Sequence, residues 1–147
     1  MDASRRFATV LVVMAGLGFL IAYSCSNSAA LNRSSANVKH LTQAEFANEA
    51  TNSTQPLVVE FYATWCGPCR ALAPLLDRVA GGYAGKIKFV KVNVDESPDV
   101  ARQYGADALP LMVIFNEGKE AGRILGMPDE ADLKGKLDAL LLPKKPD

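Results

Sequence analysis

From Val38 onward, short β-branched or aromatic runs alternate with stretches whose apolar residues recur at helical spacing. This alternation constrains the fold more than any other feature, because each helix must bury one stripe and each strand at least one face. Val38 to Leu41 reads as a short strand. Thr42-Gln43-Ala44-Glu45 is a capping-box pattern that opens a helix running to about Thr51. Leu57 to Tyr62, bounded by Pro56, reads as a buried strand. Between Cys66 and Tyr83, Leu72, Leu75, Leu76 and Val79 fall at i, i+3, i+4 and i+7, one face of a helix. Pro74 lies inside that helix and is expected to kink it. Ile87 to Val94 is the next strand, and Pro98 to Tyr104 a short helix with proline at a permitted first-turn position. Leu111 to Phe115 and Glu120 to Leu125 flank Asn116-Glu117-Gly118-Lys119, a hairpin signal. Asp129 or a neighbour caps a last helix, in which Leu133, Leu137, Leu140 and Leu141 share a face, and Pro143 and Pro146 end it. The order βαβαβαββα predicts an α/β fold: a central sheet flanked by helices, made mixed rather than all-parallel by the closing hairpin.

The N-terminus has a different character. Arg5 and Arg6 precede an uncharged, mostly apolar run from Phe7 to Tyr23, and no charge returns until Arg33. This is the layout of a secretory signal or a single membrane anchor over residues 1–25, an N-terminal hydrophobic helix. A buried soluble helix is the alternative, but a helix apolar on every face needs protein on every side. The arginines are expected to stay cytoplasmic, which puts the rest of the chain across the membrane. Three outcomes stay open: an uncleaved anchor, cleavage near Ala30, or lipidation of Cys25, since Ile21-Ala22-Tyr23-Ser24-Cys25 resembles a bacterial lipobox. Residues 26–37, rich in Ser, Asn and Ala, read as a linker. The folded domain is expected over residues 38–142.

Charge and cysteine usage narrow the function. The chain has 16 basic and 16 acidic residues, interspersed from Arg33 onward, so formal net charge is zero and nothing points to a nucleic-acid partner. Three cysteines, Cys25, Cys66 and Cys69, cannot pair fully, and the close pair encloses a loop too short to staple a fold. A zinc site needs about four ligands. The chain offers no second cysteine pair and one histidine, His40, so no metal is expected. The close pair therefore reads as redox chemistry.

Its position supports that reading. The strand at 57–62 runs through a short turn into the helix starting near Cys66, which places Cys66 at a helix N-terminus. Unpaired N–H groups and the helix dipole there favour a thiolate, the reactive form of cysteine. Cys66 can attack a disulfide, and Cys69, one turn deeper, can resolve the mixed disulfide. Pro68 restricts the backbone between them.

The segment Val59-Glu60-Phe61-Tyr62-Ala63-Thr64-Trp65-Cys66-Gly67-Pro68-Cys69-Arg70, followed by Ala73-Pro74, resembles the thioredoxin family, and the resemblance extends over roughly residues 38–141. It implies a thioredoxin fold and a thiol–disulfide oxidoreductase that needs no cofactor. In that family Cys66 is the nucleophile and Cys69 the resolving cysteine. Trp65, Gly67 and Pro68 belong to the substrate surface, and Pro110 follows a cis peptide bond and lies against the cysteine pair. Gly126 lines the substrate groove, Lys91 lies near a buried acid, and that acid is usually Asp where this chain has Glu60. Leu111 stands where Thr is common, which would make the groove more apolar. Arg70 replaces a common Lys.

These features lead to an expectation of a protein-disulfide reductase in the cell envelope, membrane-tethered with its domain outside the cytoplasm, or secreted or periplasmic after cleavage, or a lipoprotein at Cys25. Its expected partners are disulfide-containing client proteins and a membrane thiol reductant as electron donor, and the protein is expected to be a monomer. Two other readings stand beside it: a pathway-specific thiol reductant for haem-protein maturation, and a thioredoxin-like binding or folding-helper module with incidental redox activity.

Overall fold

A computed structural model of the chain describes residues 36–142. The expected N-terminal hydrophobic helix, whether anchor or signal, Cys25, the linker up to residue 35, and Pro143 and Pro146 lie outside the described residues. Among the described residues no helix is long and apolar enough to cross a membrane.

The elements are β1 (Lys39–Leu41), α1 (Gln43–Asn52), β2 (Leu57–Tyr62), α2 (Gly67–Gly82), β3 (Lys88–Asn93), α3 (Pro98–Gln103), β4 (Leu111–Asn116), β5 (Lys119–Leu125) and α4 (Glu130–Leu141). The capping box forms as expected: Thr42 Oγ1 accepts from the Glu45 N–H, while the Glu45 carboxylate accepts from the Thr42 N–H. Helix α2 continues through Pro74, which withholds the donor that the Arg70 carbonyl would otherwise accept. In the β4–β5 turn, Glu117 and Gly118 have φ of 52° and 71°, the left-handed pair that a two-residue hairpin requires. Asn37, assigned by composition to the linker, donates through its backbone N–H to Asp77 Oδ1 at 3.0 Å, and so is tied to α2.

The sheet order is β1-β3-β2-β4-β5. β1 and β2 run parallel to β3, β4 pairs antiparallel with β2, and β5 pairs antiparallel with β4, so the hairpin makes the sheet mixed. Helices cover both faces. On one, Leu72, Leu76 and Val79 of α2 and Leu133 and Leu137 of α4 pack on Val58, Phe89, Met112 and Ile114. On the other, Phe46 of α1 and Val100 of α3 pack on Val59, Phe61, Val92 and Val113. The side-chain period of two then decides where Glu60 goes. It shares a face with Val58, under α2, in the central strand.

Candidate active site

β2 ends at Tyr62, and Ala63-Thr64-Trp65 turns the chain into α2; the Cys66 N–H closes that turn on the Ala63 carbonyl at 3.1 Å. Cys66 is the N-cap of α2. Cys66 and Cys69 form a disulfide with S–S 2.06 Å, and both residues are buried. The Cys69 N–H donates to Cys66 Sγ at 3.1 Å. That donor, at the positive end of the helix, suits a sulfur that carries negative charge. Pro68 sits in the first turn, where its missing N–H costs no helical bond.

Two depressions flank the pair. The first, about 440 Å³, is lined by Trp65, Cys66, Gly67, Pro68, Val94, Ala106, Asp107 and Leu109. The second, about 270 Å³, lies behind Cys69, between Glu60, Tyr62, Arg70 and Lys91. Glu60 is only 3% exposed. Burial pushes its carboxyl up to about 7, with the Lys91 ammonium pulling weakly the other way. Glu60 and Lys91 are register partners across β2 and β3, and Lys91 Nζ stands 5.3 Å from the centre of the Tyr62 ring. Among the described residues no hydrogen bond or ion pair holds the Glu60 carboxyl, which lines the depression behind Cys69 together with Lys91 and Tyr62.

Trp65 is exposed, and its indole N–H donates to Asp95 Oδ2 at 2.9 Å. The Leu109–Pro110 peptide bond is cis. Leu109 packs on the cluster of Ala63, Cys66 and Cys69, while Pro110 is buried at the start of β4 and its carbonyl accepts from the Gly126 N–H at 2.8 Å. Gly126 has φ of 80°, a conformation that side chains resist. It therefore braces the cis-proline segment, and neither Pro110 nor Gly126 is among the residues lining the first groove.

A family model described as Thioredoxin matches residues 37–139. The chain belongs to the thioredoxin family. It is 42% identical to Thioredoxin 1 of Synechococcus elongatus over 98 residues, covering 67% of this chain and 92% of that one. It is 43% identical to Thioredoxin 1 of Nostoc sp. over 98 residues, with the same coverage of 67% and 92%. A solved chain from a study of the thiol resolving mechanism of yeast mitochondrial 1-Cys peroxiredoxin via glutathione/thioredoxin systems superposes with a TM-score of 0.64 at 36% identity, covering 70% of this chain and 95% of that one. The thioredoxin fold and a Cys66–Cys69 dithiol–disulfide centre follow, and the activity is protein-disulfide reduction.

Within the family frame, one sequence inference is corrected. Leu111 does not make the groove more apolar: it is 5% exposed and packs in the core under α1 and α3, because the residue after Pro110 already obeys the inward alternation of β4. Arg70 turns its guanidinium onto the Thr64 carbonyl at 2.9 Å, bracing the turn before the cysteines. Sequence reasoning missed Asp95, Tyr62, Leu109 and Asp107. A signal for Asp95 existed: it follows the carboxyl end of β3, and sites in open α/β sheets gather at the carboxyl ends of strands.

Proposed function

We propose that this thioredoxin-family reductase acts outside the cytoplasm, held at the membrane by its N-terminal segment, with Cys66 as nucleophile and Cys69 as resolving thiol. The observation that carries the role of Cys66 is its N-cap position with the Cys69 N–H 3.1 Å from its sulfur. The Cys66 thiolate attacks one sulfur of a client disulfide, forming a Cys66–client disulfide and expelling the other client sulfur as a thiolate. Cys69 then gives up its proton and attacks Cys66 Sγ. The second client thiolate leaves, and the Cys66–Cys69 disulfide forms. Glu60 takes the proton of Cys69, Lys91 tempers the charge that Glu60 acquires, and Trp65, Gly67 and Pro68 border the client segment. Leu109 belongs to the opposite wall, and Pro110 and Gly126 brace it from outside the groove lining.

The export reading rests on Arg5-Arg6 followed by the uncharged run Phe7 to Tyr23. A reductase across the membrane from cytoplasmic reductants must be recharged by a membrane thiol reductant, which passes two electrons and two protons to the Cys66–Cys69 disulfide. The domain acts as a monomer, since its own helices cover both sheet faces.

The test is reduction of insulin disulfides by the full chain in mild detergent. Cys66→Ser is expected to abolish turnover, and activity that survives it removes Cys66 as nucleophile. Cys69→Ser should accumulate mixed disulfides with clients in cells. Labelling of those trapped complexes by a membrane-impermeant reagent before lysis locates the domain, and protection from it defeats the export reading.

A further inference from the structure

The two depressions beside the disulfide differ in charge. Behind Cys69, the lining sets the cations Arg70 and Lys91 beside the buried Glu60 carboxyl. In the groove beside Cys66, the single charged residue of the lining is Asp107, set among Trp65, Pro68, Val94 and Leu109. Asp107 is exposed, and among the described residues no ion pair or side-chain hydrogen bond engages it. Asp95, which follows Val94 of the lining and accepts from the Trp65 indole N–H through Oδ2, is also negative. Nearby cations are committed elsewhere. Arg123 approaches the same loop at Gly105, but it pairs with Glu120 and donates to the Tyr104 carbonyl at 2.6 Å. Arg102 pairs with Asp99.

A client disulfide must enter over Cys66, because Cys69 is the deeper of the two in the helix and the groove opens on Cys66. The chain segment around the client cysteine then lies along a wall that is apolar except for an uncompensated carboxylate. We propose that Asp107 is a specificity-determining residue that selects clients bearing a lysine or arginine close to the attacked cysteine, and disfavours those bearing an acid there. This rests on the reductase reading above. The physical basis is pairing at a half-open apolar wall, where attraction exceeds that at a flat surface but salt still screens it.

The test uses three short peptides, each with one cysteine in mixed disulfide with 2-nitro-5-thiobenzoate and with Lys, Gln or Glu two residues from it. The Cys66 thiolate of the reduced full chain attacks the peptide sulfur, and the coloured thiolate, the better leaving group, is released and followed by stopped flow. The wild type is expected to react with the Lys peptide about two- to five-fold faster than with the Gln peptide, and with the Glu peptide more slowly than either. Asp107→Asn should bring the three rates together, Asp107→Lys should reverse their order, and molar salt should compress the wild-type spread. Peptide-intrinsic reactivity cancels in the comparison of variants. An order among the three peptides that is the same in wild type, Asp107→Asn and Asp107→Lys overturns the inference. Failure of the wild type to react with any of the three sinks the reductase reading itself, and this inference with it.

Discussion

Replacing Glu60 with glutamine should stabilise the protein at alkaline pH, leave it nearly unchanged near pH 4.5, and slow its redox cycle. In the native protein the buried carboxyl holds its proton up to about 7, against an ordinary 4.5. Between those values the unfolded chain has released the proton and the native chain has not. The unfolded state therefore binds fewer protons, and stability falls as pH rises through that window. At about 1.4 kcal/mol per pH unit, the interval amounts to about 3 kcal/mol, lost in full above pH 7. Below pH 4.5 the carboxyl is neutral in both states, and Gln imitates it. Urea unfolding of the oxidised full chain, wild type and Glu60→Gln, at pH 4.5 and pH 8.5 reads this directly. The difference should be close to zero at the lower pH and about 3 kcal/mol in favour of Gln at the higher. If Glu60 takes the Cys69 proton as proposed, resolution of a preformed mixed disulfide by the same variant should slow about 10²-fold. Equal stability differences at both pH values would refute the account of Glu60 as a desolvated acid. An unchanged resolution rate would refute its role toward Cys69.

Other substitutions separate positioning from packing. Tyr62→Leu removes the ring beneath Lys91 and should move the pH midpoint of the Glu60 stability transition, whereas Tyr62→Phe, which keeps the ring, should not. Gly126→Ala places a Cβ in open space at φ of 80°, so only backbone strain is felt, and about 1–2 kcal/mol of stability should be lost on urea unfolding. Leu72→Ala empties a fully buried position of α2 and should cost about 2–5 kcal/mol in the same assay. Trp65→Phe loses the hydrogen bond to Asp95 and should raise KM for insulin more than it lowers kcat, because the indole is exposed and far from the core.

The architecture was legible because strand and helix periods differ and the punctuation between them is explicit. Thr42, Pro98, Gly118 and Asp129 mark element ends in the sequence, and the observed boundaries fall close to them. The cysteine pair at the start of α2 was legible for the same reason, as a strand running into an amphipathic helix across a short turn. Sheet order was not, because periodicity within a segment says nothing of its neighbours. That β2 is central, with β3 on one side and β4 on the other, is what buries Glu60 and sets Lys91 beside it. The bond from Trp65 to Asp95, the Tyr62 ring under Lys91 and the place of Asp107 in the groove each join residues from separate segments through side-chain rotamers. Leu111 misled for a related reason: proximity to Pro110 in sequence suggested the groove, but strand alternation turned the side chain into the core.

The reduction potential of the Cys66–Cys69 couple in the full chain, measured by equilibration with glutathione, tests the central claim most directly. A thioredoxin-type reductase with a Gly67-Pro68 dipeptide is predicted to lie near about −270 mV, strongly reducing relative to about −180 mV for an isomerase. A value near about −120 mV, that of a strong oxidant, would contradict it and reverse the direction in which electrons flow through Cys66.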